Sequence, residues 1–195
     1  MKTIKLMTLM AAVVALGLVS CLSEENDTLT PEITKEQIHQ YFLQMAGSHH
    51  GKLYYRKNAA INPDVDSTEV SWTFVNDSVI QVHSVPAKAL ASLATPLTMK
   101  EALQEAEPVD IEVRYVLFSL SPLRFSLYPL TAKGKVFYEQ ATHDVAYSFA
   151  YNNYSWGTYE AGKIQMQLVQ YGIYLDEKAS TSYLTTQALL YFSEE

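Results

Sequence analysis

EVSWTFVNDSVIQVHSVP, residues 69–86, decides the fold. Val70, Trp72 and Phe74 alternate with Ser71 and Thr73, so a strand here has one buried face and one wet face. Asn76-Asp77 is turn chemistry, and Val79 to Val85 follows at once. Spacing and composition read as a hairpin, which Pro86 ends.

The pattern repeats downstream. Ile111, Val113, Tyr115 and Leu117 begin a long strand, broken at Ser121-Pro122, and Leu123, Phe125 and Leu127 alternate in the strand that returns. Ala132-Lys133-Gly134-Lys135 reads as a turn. Val145, Tyr147, Phe149 and Tyr151 alternate next, and Asn152-Asn153 ends that strand. Ile164, Met166 and Leu168 share one parity, whereas Tyr171, Ile173 and Leu175 have the other. Such a flip requires a bulge near Val169-Gln170, or a strand whose two halves serve different faces. Asp176 to Ser180 turns, and Tyr183 to Phe192 closes the chain.

Upstream, Lys52 to Lys57 is the first strand. Before it, Thr30-Pro31 opens a helix, and Thr34 with Gln37 forms a capping box one turn later. Ile38, Tyr41, Phe42 and Met45 make one apolar stripe, and Gly47 sits where a C-terminal cap belongs. Two short helices are expected within 87–107, one over Ala87 to Leu93 and one after Thr98, capped through Glu101 and stopped by Pro108. The sum is a mainly β (α+β) domain over 31–195. About eight antiparallel strands form a barrel or a strongly curled sheet, with the helix plugging an end or crossing a face. Tyrosine, at 14 residues, suits that architecture.

The order of Gly47 and Gly51 around the first strand, Asn76-Asp77-Ser78-Val79-Ile80, and Val85-Pro86-Ala87-Lys88-Ala89-Leu90 resembles small lipoproteins of gut anaerobes. These form a domain-of-unknown-function family likened to calycin barrels. The resemblance implies a fold and a compartment over 31–195, and carries no catalytic residue across.

The first 30 residues give an address. Lys2 and Lys5 precede an apolar run from Leu6 to Val19, shorter than the about 20 residues a membrane span requires. Leu18, Val19 and Ser20 then lead to Cys21, the single cysteine. This resembles the bacterial lipoprotein signal, with residues 1–20 removed and Cys21 acylated; the alternative is a plain secreted chain with a free thiol. Ser23, Glu24, Glu25, Asn26 and Asp27 fall within an acidic tether over 21–30. That tether resembles the export signal of Bacteroidetes-type surface lipoproteins, although an ordinary solvated linker has the same composition. The expected location is the outer membrane, at the cell surface or else on its periplasmic face. Losing Lys2 and Lys5 takes the formal charge from −7 to about −9, which argues against nucleic-acid binding.

Chemistry is sparse. His39 with His49-His50 lacks zinc-ligand spacing, and the histidine pair reads as a solvated loop. Gly47 to Lys52 lacks the spacing of a phosphate loop, and no Gly-x-Ser-x-Gly elbow occurs. His143 and Asp144, as strand neighbours, point to opposite faces. Glu101, Glu105 and Asp110 would need a shared cleft to act as glycosidase carboxylates. No catalytic residue, metal or cofactor is assigned. The segment that stands out is 151–159, where Tyr151, Asn152, Asn153, Tyr154, Trp156 and Tyr159 bring rings and amides together. Flat rings and amides suit a glycan platform, and Trp and Tyr equally suit a protein contact; a plain strand–turn–strand accounts for them too. The expected function is a non-catalytic binding or accessory module for a glycan, small ligand or protein. The rivals are a structural envelope component and, third, a hydrolase.

Overall fold

The computed structural model describes residues 32–178 and 181–194, and the β-rich unit begins at Ile33. The leader, Cys21, the acidic tether and Thr30-Pro31 lie outside the described residues. Helix α1 (Lys35–Met45) starts at the expected capping box: Thr34 Oγ1 accepts from the Gln37 amide at 3.2 Å, and Gln37 Oε1 accepts from the Thr34 amide at 2.9 Å. Its stripe of Ile38, Tyr41 and Phe42 packs on the core, with Met45 fully buried. Gly47 follows at φ +110°, a conformation that glycine adopts without penalty.

Ten strands follow: β1 (Gly47–Arg56), β2 (Val65–Asn76), β3 (Val79–Val85), β4 (Val109–Leu120), β5 (Leu123–Pro129), β6 (Ala132–Tyr138), β7 (Ala141–Ala150), β8 (Asn152–Glu160), β9 (Lys163–Leu175) and β10 (Ala188–Glu194). Eight of them close an antiparallel barrel in the order β1-β2-β3-β4-β5-β8-β9-β10 and back to β1. The closing seam runs from Gly51 opposite Glu194 to Tyr55 opposite Leu190. Strands β6 and β7 are carried outside that ring on the C-terminal half of β9, from Val145 opposite Leu175 to Ala150 opposite Val169.

Alternation places the expected residues inside. Trp72, Phe74, Tyr115, Phe125 and Phe192 meet edge to face, with centroids 6.3 Å apart for Trp72–Phe192 and 5.6 Å for Tyr115–Phe125. Such pairs add to the burial of large rings. Gly157 lies where the Phe125 ring leaves no room for a Cβ. These side chains are buried inside the barrel.

Several local expectations need correction. Residues 132–135 are the start of β6 rather than a turn. Gly134 is there for closeness, since a Cβ would sit 2.9 Å from Val109 Cγ1. His49-His50 lies within β1 instead of a loop. Helix α2 (Ala87–Leu90) is shorter than expected. Helix α3 (Leu97–Gln104) starts after Pro96 with no side-chain cap, so the Thr98–Glu101 box does not form. The parity flip in β9 is a bulge: Ser148 faces Gly172 and Phe149 faces Gln170, leaving Tyr171 as the extra, exposed residue. The two halves of β9 also take different partners, since β8 gives way to β7 along one edge.

Candidate functional site

Strands β7 and β8 run in succession along one edge of β9. Ala150 faces Val169 and Trp156 faces Gln167, so residues 151–155 occupy the space opposite Leu168 alone. That excess of chain forms a wide bulge, leaving Tyr151 and Tyr154 exposed at 59% and 61%. Ser155 closes its base. The fully buried hydroxyl donates to the Ala150 carbonyl at 2.6 Å and accepts from the Val169 amide at 3.2 Å. Gln167 Nε2 donates to the Tyr154 carbonyl at 3.1 Å, tying the bulge to β9 a second time.

Beyond the bulge, strand periodicity turns Trp156 and Thr158 outward, while Gly157 and Tyr159 turn inward. Trp156 lies partly exposed in a groove of about 460 Å³ with Phe118, Arg124, Thr158, Glu160 and Gln165. Cross-strand register assembles it: Ser126 and Gln167 flank Trp156, and Arg124 and Gln165 flank Thr158. Tyr151 stacks on Tyr128 with centroids 6.3 Å apart and planes 20° apart. The groove thus offers flat apolar rings, a guanidinium that donates, a carboxylate that accepts, and an amide and a hydroxyl that do both.

Of the residues singled out from sequence, Trp156 lines the groove, while Tyr151, Asn153 and Tyr154 are exposed on the bulge. Asn152 pairs through its backbone with Leu127, and its side chain lies outside the described set. Tyr159 is partly buried, packs against the core and does not line the groove. Phe118, Arg124, Tyr128 and Gln165 went unforeseen. The alternation of Arg124, Ser126 and Tyr128 with buried Leu123, Phe125 and Leu127 was the signal that could have placed three outer-face residues.

Other polar groups are dispersed. Asp110 accepts from the Ser84 amide at 2.8 Å, and Glu105 lines a pocket of about 330 Å³ that neither Glu101 nor Asp110 lines. Among the described residues no three His, Cys, Asp or Glu side chains gather as metal ligands. His49 stacks on Trp72 and sits between the Met45 carbonyl, at 2.8 Å, and Glu194, at 2.9 Å. His143 does find an aspartate, but it is Asp176, 2.8 Å from Nδ1, with the Tyr138 carbonyl 3.2 Å from Nε2. Two acceptors on one ring favour the doubly protonated imidazolium.

The hydrogen bond with Asp176 accordingly raises His143 above its ordinary 6.5, and the bond from His143 holds Asp176 below its ordinary 3.8. Asp176 stabilises the fold above 3.8 and loses that effect as pH falls through its depressed value. His143 stabilises below 6.5 and loses it as pH rises through its raised value. In melts across pH, Asp176→Asn is expected to lower the melting temperature most between these limits. A deficit that stays constant with pH would refute the coupling.

The family model of a domain of unknown function, DUF4840, matches residues 44–175, more than half of the chain. This chain belongs to that family. The DUF4840 match runs from the last turn of α1 to the end of β9, so it takes in the whole groove and leaves out β10. Comparison with curated proteins and with solved structures gives no significant match.

Proposed function

We propose that this DUF4840 protein is a lipid-anchored, non-catalytic binding module of calycin-like build that takes a glycan in the Trp156 groove. The observation that carries this reading is the company Trp156 keeps. A partly exposed indole lies beside Arg124, Thr158, Glu160 and Gln165 on paired strands, which hold both donors and acceptors in fixed positions. A sugar ring presents C–H faces to an aromatic plane and hydroxyls at its edge, and this groove answers both. Rigid strands spare a ligand the cost of ordering its site. Aromatic rings pack against one another inside the barrel, and the Trp156 groove lies on its outer face.

The anchor rests on Leu18-Val19-Ser20-Cys21, and placement at the cell surface of a Bacteroidetes-type outer membrane rests on the acidic residues 23–27. A second reading, a structural envelope component docking a protein partner, draws on exposed Tyr151 and Tyr154.

A glycan array followed by calorimetry on the full chain tests the proposal. Trp156→Ala is expected to weaken glycan binding by about 30-fold or more, as loss of a hot-spot ring does, with little change in melting temperature. No bound glycan, or equal binding by the variant, removes this reading in favour of the protein partner.

A further inference from the structure

The outward row that contains Trp156 does not stop at its groove. Register sets Trp156 of β8 opposite Gln167 of β9, Gln167 opposite Tyr191 of β10, and Tyr191 opposite Tyr54 of β1. The last three point away from the core, because buried residues flank each of them: Met166 and Leu168, Leu190 and Phe192, Leu53 and Tyr55. All four side chains are partly exposed. The Tyr54 and Tyr191 rings lie side by side, 6.4 Å between centroids and tilted by 44°. One line across four strands therefore carries three aromatic rings and an amide. The bond from Gln167 Nε2 to the Tyr154 carbonyl fixes that amide, so its oxygen is held between the rings as an acceptor.

A second line runs beside the first. Thr158 faces Gln165, and Gln165 faces Ser193. Each lies two residues along its strand from a member of the ring line and on the same face, so the two lines run roughly 7 Å apart. Thr158 and Ser193 are partly exposed and Gln165 is exposed, giving a hydroxyl, an amide and a hydroxyl in sequence. Rings in one line and hydrogen-bonding groups in the next suit a chain of sugars, with C–H faces over the rings and hydroxyls along the edge. Spacing decides the length. Trp156 and Tyr191 are two interstrand steps apart, roughly 10 Å, and Tyr54 is one step beyond. A single pyranose ring is too short to reach from one to the next but one.

We infer that the Trp156 groove is one end of a track for a linear oligosaccharide of at least four sugars, which passes from β8 over β9 and β10 toward β1. The inference rests on the groove's reading as a glycan site, and adds the length and direction of the glycan. The barrel wall curves along this path, so the chain bends at its glycosidic linkages to stay above the rings. Strand pairing holds every contact in place before the chain arrives.

Calorimetry of the full chain tests it with two series of glucose oligomers, the extended cellobiose to cellohexaose and the curved maltose to maltohexaose. In one series the affinity is expected to climb with each added sugar up to at least the tetrasaccharide. Tyr191→Ala is expected to weaken the hexasaccharide about tenfold, as loss of a contact ring does. The disaccharide, held at Trp156, is expected to bind that variant as it binds the native chain, which also shows that the variant folds. Tyr191→Phe keeps the ring and is expected to restore hexasaccharide binding. Affinity that levels off at the disaccharide, or a hexasaccharide indifferent to Tyr191→Ala, overturns the track and leaves the groove as a glycan site. Silence from both series overturns the track as well, and an empty glycan array beside it removes the groove's reading too.

Discussion

Phe125→Ala is expected to cost about 3–5 kcal/mol, a large share of the roughly 5–15 kcal/mol that holds a domain folded. The ring is fully buried and meets Phe74 at 6.0 Å and Tyr115 at 5.6 Å between centroids. Its other face covers Gly157, so truncation opens a void bounded by three strands. Gly157→Ala attacks the same contact from the opposite side, and overpacking of this kind costs about 1–3 kcal/mol. In the double variant the new methyl enters the space the ring has left. The combined loss in urea unfolding is therefore expected to fall short of the summed single losses by about 1 kcal/mol or more. Strict additivity would mean that ring and glycine do not share one space.

Gly51→Ala is expected to cost more than Gly157→Ala, about 3 kcal/mol or above. Here the obstacle is backbone: a Cβ on Gly51 runs into the Ser193 carbonyl oxygen and the Glu194 Cα. No rotamer relieves that, so β10 itself must shift. Glu194 is also the residue whose carboxylate reaches His49 at 2.9 Å and accepts from the Ile164 amide at 2.9 Å, joining β10 to β1 and β9. Moving it loosens both contacts. Hydrogen exchange is the informative readout, with faster exchange expected along Gly51 to Tyr55 and their partners 190–194. A variant that melts with the native chain and keeps seam protection would contradict the account.

The barrel was legible because its faces differ. Val70, Trp72 and Phe74, then Ile111, Val113, Tyr115 and Leu117, then Leu123, Phe125 and Leu127 all alternate with polar or exposed neighbours, and all turn inward. Strand β6 escaped because its inward positions include Ala132 and Gly134, small residues that crowding selects and that composition reads as a turn. Trp156 stood out from sequence as an aromatic, but parity alone separates it from Tyr159, and the register around the 151–155 bulge sets that parity. The partners of the groove and of the ring line come from segments far apart in the chain. Arg124 meets Thr158, and Tyr54 meets Tyr191, only once strands are paired. His143 makes the same point: its adjacent aspartate, Asp144, reaches Lys135 at 3.5 Å instead, and its own partner lies 33 residues away.

The seam between Gly51–Tyr55 and 190–194 joins the first strand of the chain to the tenth. β1 has β2 on one edge and only β10, from the far end of the chain, to cover the other. Bare edges recruit strands from other chains. Without the seven residues of β10, the other seven strands of the ring would make an open sheet with two bare borders, and that short strand is what closes it.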